Sequence, residues 1–171
     1  MTIVTLVGNP RAGSRTLDAA VRASEAVAAR IGAAEPPEIV DLAGLAPHLF
    51  GPQPSASLEI ALELVLDADV LVVAGPTYKG AYTGLLKAFL DRLPHRALEG
   101  TFALPLLVMG DPKHSLAVEV HLRPLLVELG AIVPTPGLAL LESRIPDLDE
   151  VLAAWLDQVA PQLVLPQEVT A

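Results

Sequence analysis

Within nine residues, Gly8-Asn9-Pro10-Arg11-Ala12-Gly13-Ser14-Arg15-Thr16, the chain carries two hydroxyls, two guanidinium groups and two glycines. The segment follows a short β-branched run, Thr2 to Val7, and precedes a helical pattern. Free backbone N–H groups, the positive end of the helix dipole and the Ser14 and Thr16 hydroxyls would together favour an anion such as a phosphate. On this loop alone, Ser14 acting only as a helix N-cap beside solvated arginines stands as an equal alternative. The spacing Gly8-x-x-x-x-Gly13 lacks the lysine of a nucleoside-triphosphate loop, and no G-x-G-x-x-G follows the first strand.

A second loop, Gly75-Pro76-Thr77-Tyr78-Lys79-Gly80-Ala81-Tyr82-Thr83-Gly84, holds both tyrosines of the protein, a lysine and three glycines. Close backbone approach, N–H donors and a side chain to cover one face suit a planar aromatic ligand, a Gly-rich turn with a packed Tyr82 being the alternative. In a third loop Gly110 would let a flat ligand lie against the backbone, and His114 and Ser115 open a helix. His48, His95 and His121 lie elsewhere along the chain, so neither a metal cluster nor a nucleophile, histidine and acid arrangement is indicated.

The elements that must position these loops read as alternating strands and helices. Strands are predicted at Thr2–Val7, Glu38–Leu42, Val70–Ala74, Phe102–Met109 and Ile132–Leu141, the last demoted toward a sheet edge by two prolines. Helices are predicted at Ser14–Ile31, Leu58–Leu66 with Ser55 or Ser57 as cap, Tyr82–Leu93, His114–Leu129 with a disturbance at Pro124, and Asp147–Val164. Five such units fit a doubly wound α/β fold with a five-stranded parallel sheet of order 2-1-3-4-5, whose ligand site lies beyond the ends of strands 1, 3 and 4. Residues 1–165 are expected to form one domain, and 166–171 a flexible tail.

Composition narrows the partners. The 171 residues carry 20 acidic against 11 basic side chains, a formal charge of −9, which disfavours nucleic acid. With no cysteine, disulfides, thiolate nucleophiles and thiolate-bound metals are excluded. The apolar N-terminal run is too short for a signal segment or membrane span, so no membrane association and a cytoplasmic location are expected.

The first loop resembles the phosphate loop of NAD(P)H-dependent FMN reductases, and Pro76 to Asp91 is similar to their flavin-ring loop and following helix. Leu104-Pro105-Leu106, Gly110, His114, Leu116-Ala117 and Leu122-Arg123-Pro124 extend the likeness from Thr2 to about Leu140 in colinear order. The likeness is greatest to reductases that supply reduced FMN to two-component monooxygenases, such as alkanesulfonate systems. It implies a flavodoxin-like fold, with the FMN phosphate at Ser14, Arg15 and Thr16 and the ring against Pro76, Thr77, Tyr78, Lys79, Gly80 and Gly110. NADPH or NADH would pass hydride to the flavin with no catalytic protein acid or base, because the cofactor carries the chemistry. Arg11 and Lys79 are expected contacts to nicotinamide-nucleotide phosphates or flavin. A flavin-dependent monooxygenase partner and a homodimer or homotetramer are also implied. An electron-carrying flavodoxin, a flavin-less binding protein and a quinone or azo reductase are the competing functions.

Asp111 stands where the family commonly has Gly or Ser, and Asn9 where it has Ser. Asp111 is expected either to face the flavin and disfavour its reduced anion or to turn outward as a helix cap. Some members carry one extra residue as a π-bulge in the helix before Leu122-Arg123-Pro124, and Val120-His121 would be that place.

Overall fold

The computed structural model describes residues 1–51 and 55–163. Residues 52–54, Val164 at the predicted end of the closing helix and the tail 166–171 lie outside the described residues. Five strands, β1 (Ile3–Val7), β2 (Glu38–Asp41), β3 (Val70–Pro76), β4 (Phe102–Met109) and β5 (Leu138–Leu141), form one parallel sheet of order β2-β1-β3-β4-β5, the order expected. The buried continuous runs IVTLV and FALPLLVM follow from coverage of both sheet faces.

Helices α1 (Arg15–Ile31) and α5 (Leu148–Val159) cover one face through Ala19, Ala20, Ala23, Val27, Leu152 and Trp155. On the other face, α2 (Ala56–Leu66), α3 (Gly84–Leu90) and α4 (Arg123–Glu128) bury Leu58, Val65, Leu86, Phe89, Leu90 and Leu126. Ser14 and Ser55 cap α1 and α2 by accepting from Leu17 N and Leu58 N.

Beyond shifts of one or two residues at other ends, four expected spans change. The helix predicted at Tyr82–Leu93 is only Gly84–Leu90, because Thr83 is its N-cap and Tyr82 stays in the preceding loop. The predicted helix His114–Leu129 is divided into a 3₁₀ turn at Pro112–His114, a π-helix at Val118–Leu122 and α4. Pro124 then falls in the first turn of α4, where its missing N–H breaks no helical bond. The π-helix contains Val120-His121, the position expected for an inserted residue. The last strand begins at Leu138 rather than Ile132: Pro134 and Pro136 cannot donate to a ladder, and Ile132 is left with a single bridge to Phe102. The closing helix ends at Val159 and passes into a 3₁₀ turn at Ala160–Gln162, with Pro161 in its first turn. Pro105 is tolerated inside β4 because the β4–β5 register starts only at Leu106, leaving β3 as its ladder neighbour.

Gly8 sets how closely α3 approaches β1. A Cβ at Gly8 would stand 2.5 Å from Leu86 Cβ, so only glycine lets the helix lie on the strand end there.

Candidate functional site

Because all strands run parallel, the ends of β1, β3 and β4 open on one edge of the sheet, and the three chemistry-bearing loops meet there. Gly8 N donates to the Ala74 carbonyl at 2.7 Å, and Thr77 N donates to the Val108 carbonyl at 2.8 Å, fixing each loop to its neighbour. The resulting cleft, about 480 Å³, is lined by Asn9, Arg11, Ser14, Arg15, Thr16, Pro76 and Tyr78 of the first two loops, and by Glu142.

The first loop is held by its own side chains. Asn9 Oδ1 accepts from Arg11 N at 2.9 Å, and Asn9 Nδ2 donates to Thr16 Oγ1 at 3.1 Å. Asn9 therefore ties the loop to the helix start, a positioning role its residue type alone did not reveal. Ser14 Oγ accepts from Leu17 N at 3.1 Å. Since Ser14 and Thr16 both accept within the protein, each hydroxyl proton remains available to a ligand. The Arg11 guanidinium makes no ion pair among the described residues, whereas Arg15 Nη2 lies 3.3 Å from Glu142 Oε2. Glu142 begins the segment after β5 and is brought to the cleft by the edge strand.

The second loop turns as a two-residue hairpin. Tyr78 N donates to the Ala81 carbonyl at 2.8 Å and Ala81 N to the Tyr78 carbonyl at 3.1 Å. Lys79 and Gly80 have φ of 53° and 82°, the paired positive angles such a turn requires. Thr77 Oγ1, between Pro76 and Tyr78 in the chain, is buried without a hydrogen-bond partner among the described residues.

Thr77, Lys79, Gly80, Gly110 and Asp111 do not line the 480 Å³ cleft itself. Lys79 and Gly80 form the hairpin tip, and a Cβ at Gly80 would come 3.8 Å from His114 Nδ1, which places the third loop against the second. Gly110 is exposed, and a Cβ there would meet nothing within 4 Å. Asp111 takes the cap alternative: its carboxylate accepts from Lys113 N at 3.0 Å and stands 2.7 Å from Lys113 Nζ. The Lys113 side chain and backbone N–H hold the Asp111 carboxyl below the usual carboxylate range.

A second groove, about 420 Å³, runs between α1 and α5 along Ala26, Ala29, Leu152 and Ala153. Its Arg22 is paired with Asp149 at 2.6 Å, so it offers an apolar wall rather than reactive groups.

Residues 1–144 match a family described as NADPH-dependent FMN reductase. The chain is 39% identical over 133 residues to an FMN reductase (NADPH) of Escherichia coli (strain K12), which covers 77% of this chain and 68% of that protein. It is 30% identical over 155 residues to the NADH-dependent FMN reductase SfnE of Pseudomonas putida, covering 86% of this chain and 80% of that one. Among solved structures, the apo form of an NADH:FMN oxidoreductase (EMOB) superposes with a TM-score of 0.86 at 35% identity, over 99% of this chain and 92% of the other.

Proposed function

The chain belongs to the NADPH-dependent FMN reductase family, and from that premise we propose how its own residues hold and expose the flavin. It is an oxidoreductase that reduces FMN with NADPH or NADH. When bound, FMN supplies the hydride-accepting chemistry.

The donors of the cleft fit this group. The Ser14 and Thr16 hydroxyls, the Arg11 and Arg15 guanidinium groups and the start of α1 suit a phosphate dianion. That cluster of donors is the observation that carries the assignment, and the Pro76 and Tyr78 wall of the same cleft is assigned to the ring. Tyr78 and the Lys79-Gly80 tip border the ring side, and Gly110 leaves open space for a planar group. Asp111 stands beside Gly110 as a loop-shaping cap. Arg11 and Lys79, both exposed, offer positive charge to nicotinamide-nucleotide phosphates. No side chain acts as acid or base in this scheme; the chain binds, orients and leaves one flavin face open.

The reduced flavin would serve a flavin-dependent monooxygenase, in keeping with the likeness to reductases of two-component systems. A homodimer or homotetramer belongs to the same proposal: Leu116, Val120, Val127 and Ile132 are 50–68% exposed within one helical stretch and its exit, an apolar surface suited to a second copy of the chain. Residues 1–165 are proposed as one domain, supported by the single sheet. A cytoplasmic location suits soluble nucleotide substrates, and among the described residues no helix is long and apolar enough to cross a membrane.

The test is an FMN titration followed by NADH and NADPH oxidation with flavin, quinone and azo acceptors. Ser14→Ala with Thr16→Ala removes two charge-assisted hydrogen bonds worth about 1.5–3 kcal/mol each, so the double variant should bind FMN about a hundredfold more weakly or worse. Unchanged affinity would sink the phosphate assignment. Light scattering at the monomer mass across micromolar concentrations would reject the oligomer.

A further inference from the structure

Glu142 is the only carboxylate lining the cleft among the described residues, and it lies 3.3 Å from the Arg15 guanidinium. An ionised carboxylate accepts hydrogen bonds and donates none, so it complements the arginine but opposes a phosphate arriving at the same guanidinium. Both partners are exposed, with 70% of the Arg15 and 41% of the Glu142 side chain open to solvent. Such a pair is weak and readily exchanged.

We propose that Glu142 is a built-in competitor for Arg15. It holds the guanidinium in the flavin-free protein, yields it to the phosphate of FMN, and takes it back as the flavin departs. The exchange weakens the hold on FMN and speeds its release. This rests on the placement of the FMN phosphate at Ser14, Arg15 and Thr16.

The experiment measures FMN and riboflavin dissociation constants by flavin fluorescence, and FMN release by stopped-flow displacement, for the parent, Glu142→Gln, Arg15→Gln and the double variant. Glu142→Gln should tighten FMN roughly three- to fivefold at low salt, mainly through slower release. Riboflavin, which lacks the phosphate, should change less than twofold, and the FMN effect should vanish once Arg15 is glutamine. Both side chains are exposed, so neither substitution opens a cavity, and matching thermal melts verify the fold. Unchanged or weaker FMN binding in Glu142→Gln, equal tightening of riboflavin, or persistence of the effect without Arg15 would each overturn the exchange. If Ser14→Ala with Thr16→Ala weakens FMN while Glu142→Gln does nothing, the phosphate site stands and the competitor alone falls. If neither changes FMN binding, the placement of the phosphate falls as well.

Discussion

The Thr83 hydroxyl donates to the Gly8 carbonyl at 2.6 Å and accepts from Leu86 N at 3.1 Å. One buried oxygen thus caps α3 and joins it to the end of β1, two segments 75 residues apart. This contact adds to the Gly8 N–H bond to the Ala74 carbonyl in joining the first and second loops of the cleft.

Thr83→Val preserves the shape of the side chain and removes both bonds, leaving the Gly8 carbonyl and Leu86 N without their partner. The expected loss is about 2–4 kcal/mol, from an unmade buried bond and a missing cap. Thr83→Ser should restore most of it. Urea unfolding of the three proteins measures this, and a loss below about 0.5 kcal/mol in the valine variant would remove Thr83 from the joint.

Glu119 of the π-helix accepts from the Arg123 guanidinium and from Gly137 N, the latter at 2.6 Å, while Arg123 donates to the Val133 and Pro134 carbonyls. This network fixes the turn into β5. Arg123 lowers the Glu119 carboxyl below its usual range, aided by the Gly137 N–H and opposed by burial. A depressed acid pKa contributes stability that is present above the unfolded value, about 4.3, and is lost as pH falls through the folded one. Glu119→Gln should therefore be less stable than the parent at pH 7, by about 1 kcal/mol after allowance for solvent screening. The gap should close as pH falls below about 4.3. Parallel stability curves in that window would sink the assignment.

Lys79 adopts a left-handed conformation that costs a non-glycine residue about 1 kcal/mol. Lys79→Asn, better suited to that position in the turn, should gain about 0.5–1 kcal/mol in thermal or urea unfolding. The same change removes a positive charge from the loop tip and should raise KM for NAD(P)H severalfold with little change in kcat. A more stable variant with unaltered KM would confine Lys79 to turn formation.

Asp111→Asn keeps an acceptor oxygen for the cap and removes the charge. Because Lys113 Nζ already meets that charge at 2.7 Å, the ratio of dissociation constants for oxidised and reduced FMN should stay within twofold of the parent. A fivefold shift toward reduced flavin would show instead that the carboxylate acts on the ring. Anaerobic titrations of both redox forms decide between them.

Strands β1, β3 and β4 were legible as continuous apolar runs, their order followed from the alternation of five strands with helices, and Ser14 and the pair Ser55 or Ser57 announced their helices as caps. The donors of the first loop and the second-loop tip were legible for a related reason: hydroxyls, guanidinium groups and glycines crowd where a strand gives way to a helix. Thr83 was passed over because the apolar spacing from Leu85 onward extends back to Tyr82, and only the contact with Gly8 decides where α3 begins. Asn9 and Glu142 were hidden differently. Asn9 acts through a bond to Thr16, and Glu142 reaches the cleft only because β5 pairs beside β4, a neighbour relation that no local spacing records.

Gly8 and Gly110 follow β1 and β4, the strands on either side of β3, yet they offer opposite prospects for redesign. At Gly8 the first added carbon meets Leu86 at 2.5 Å, so sequence drift and directed mutation alike find that position closed. At Gly110 the same carbon enters open space, and the strand end can accept new side chains without disturbing its neighbours. Substitutions at Gly110 should therefore leave the fold intact, whereas any side chain at Gly8 would act on the scaffold by displacing α3 from β1.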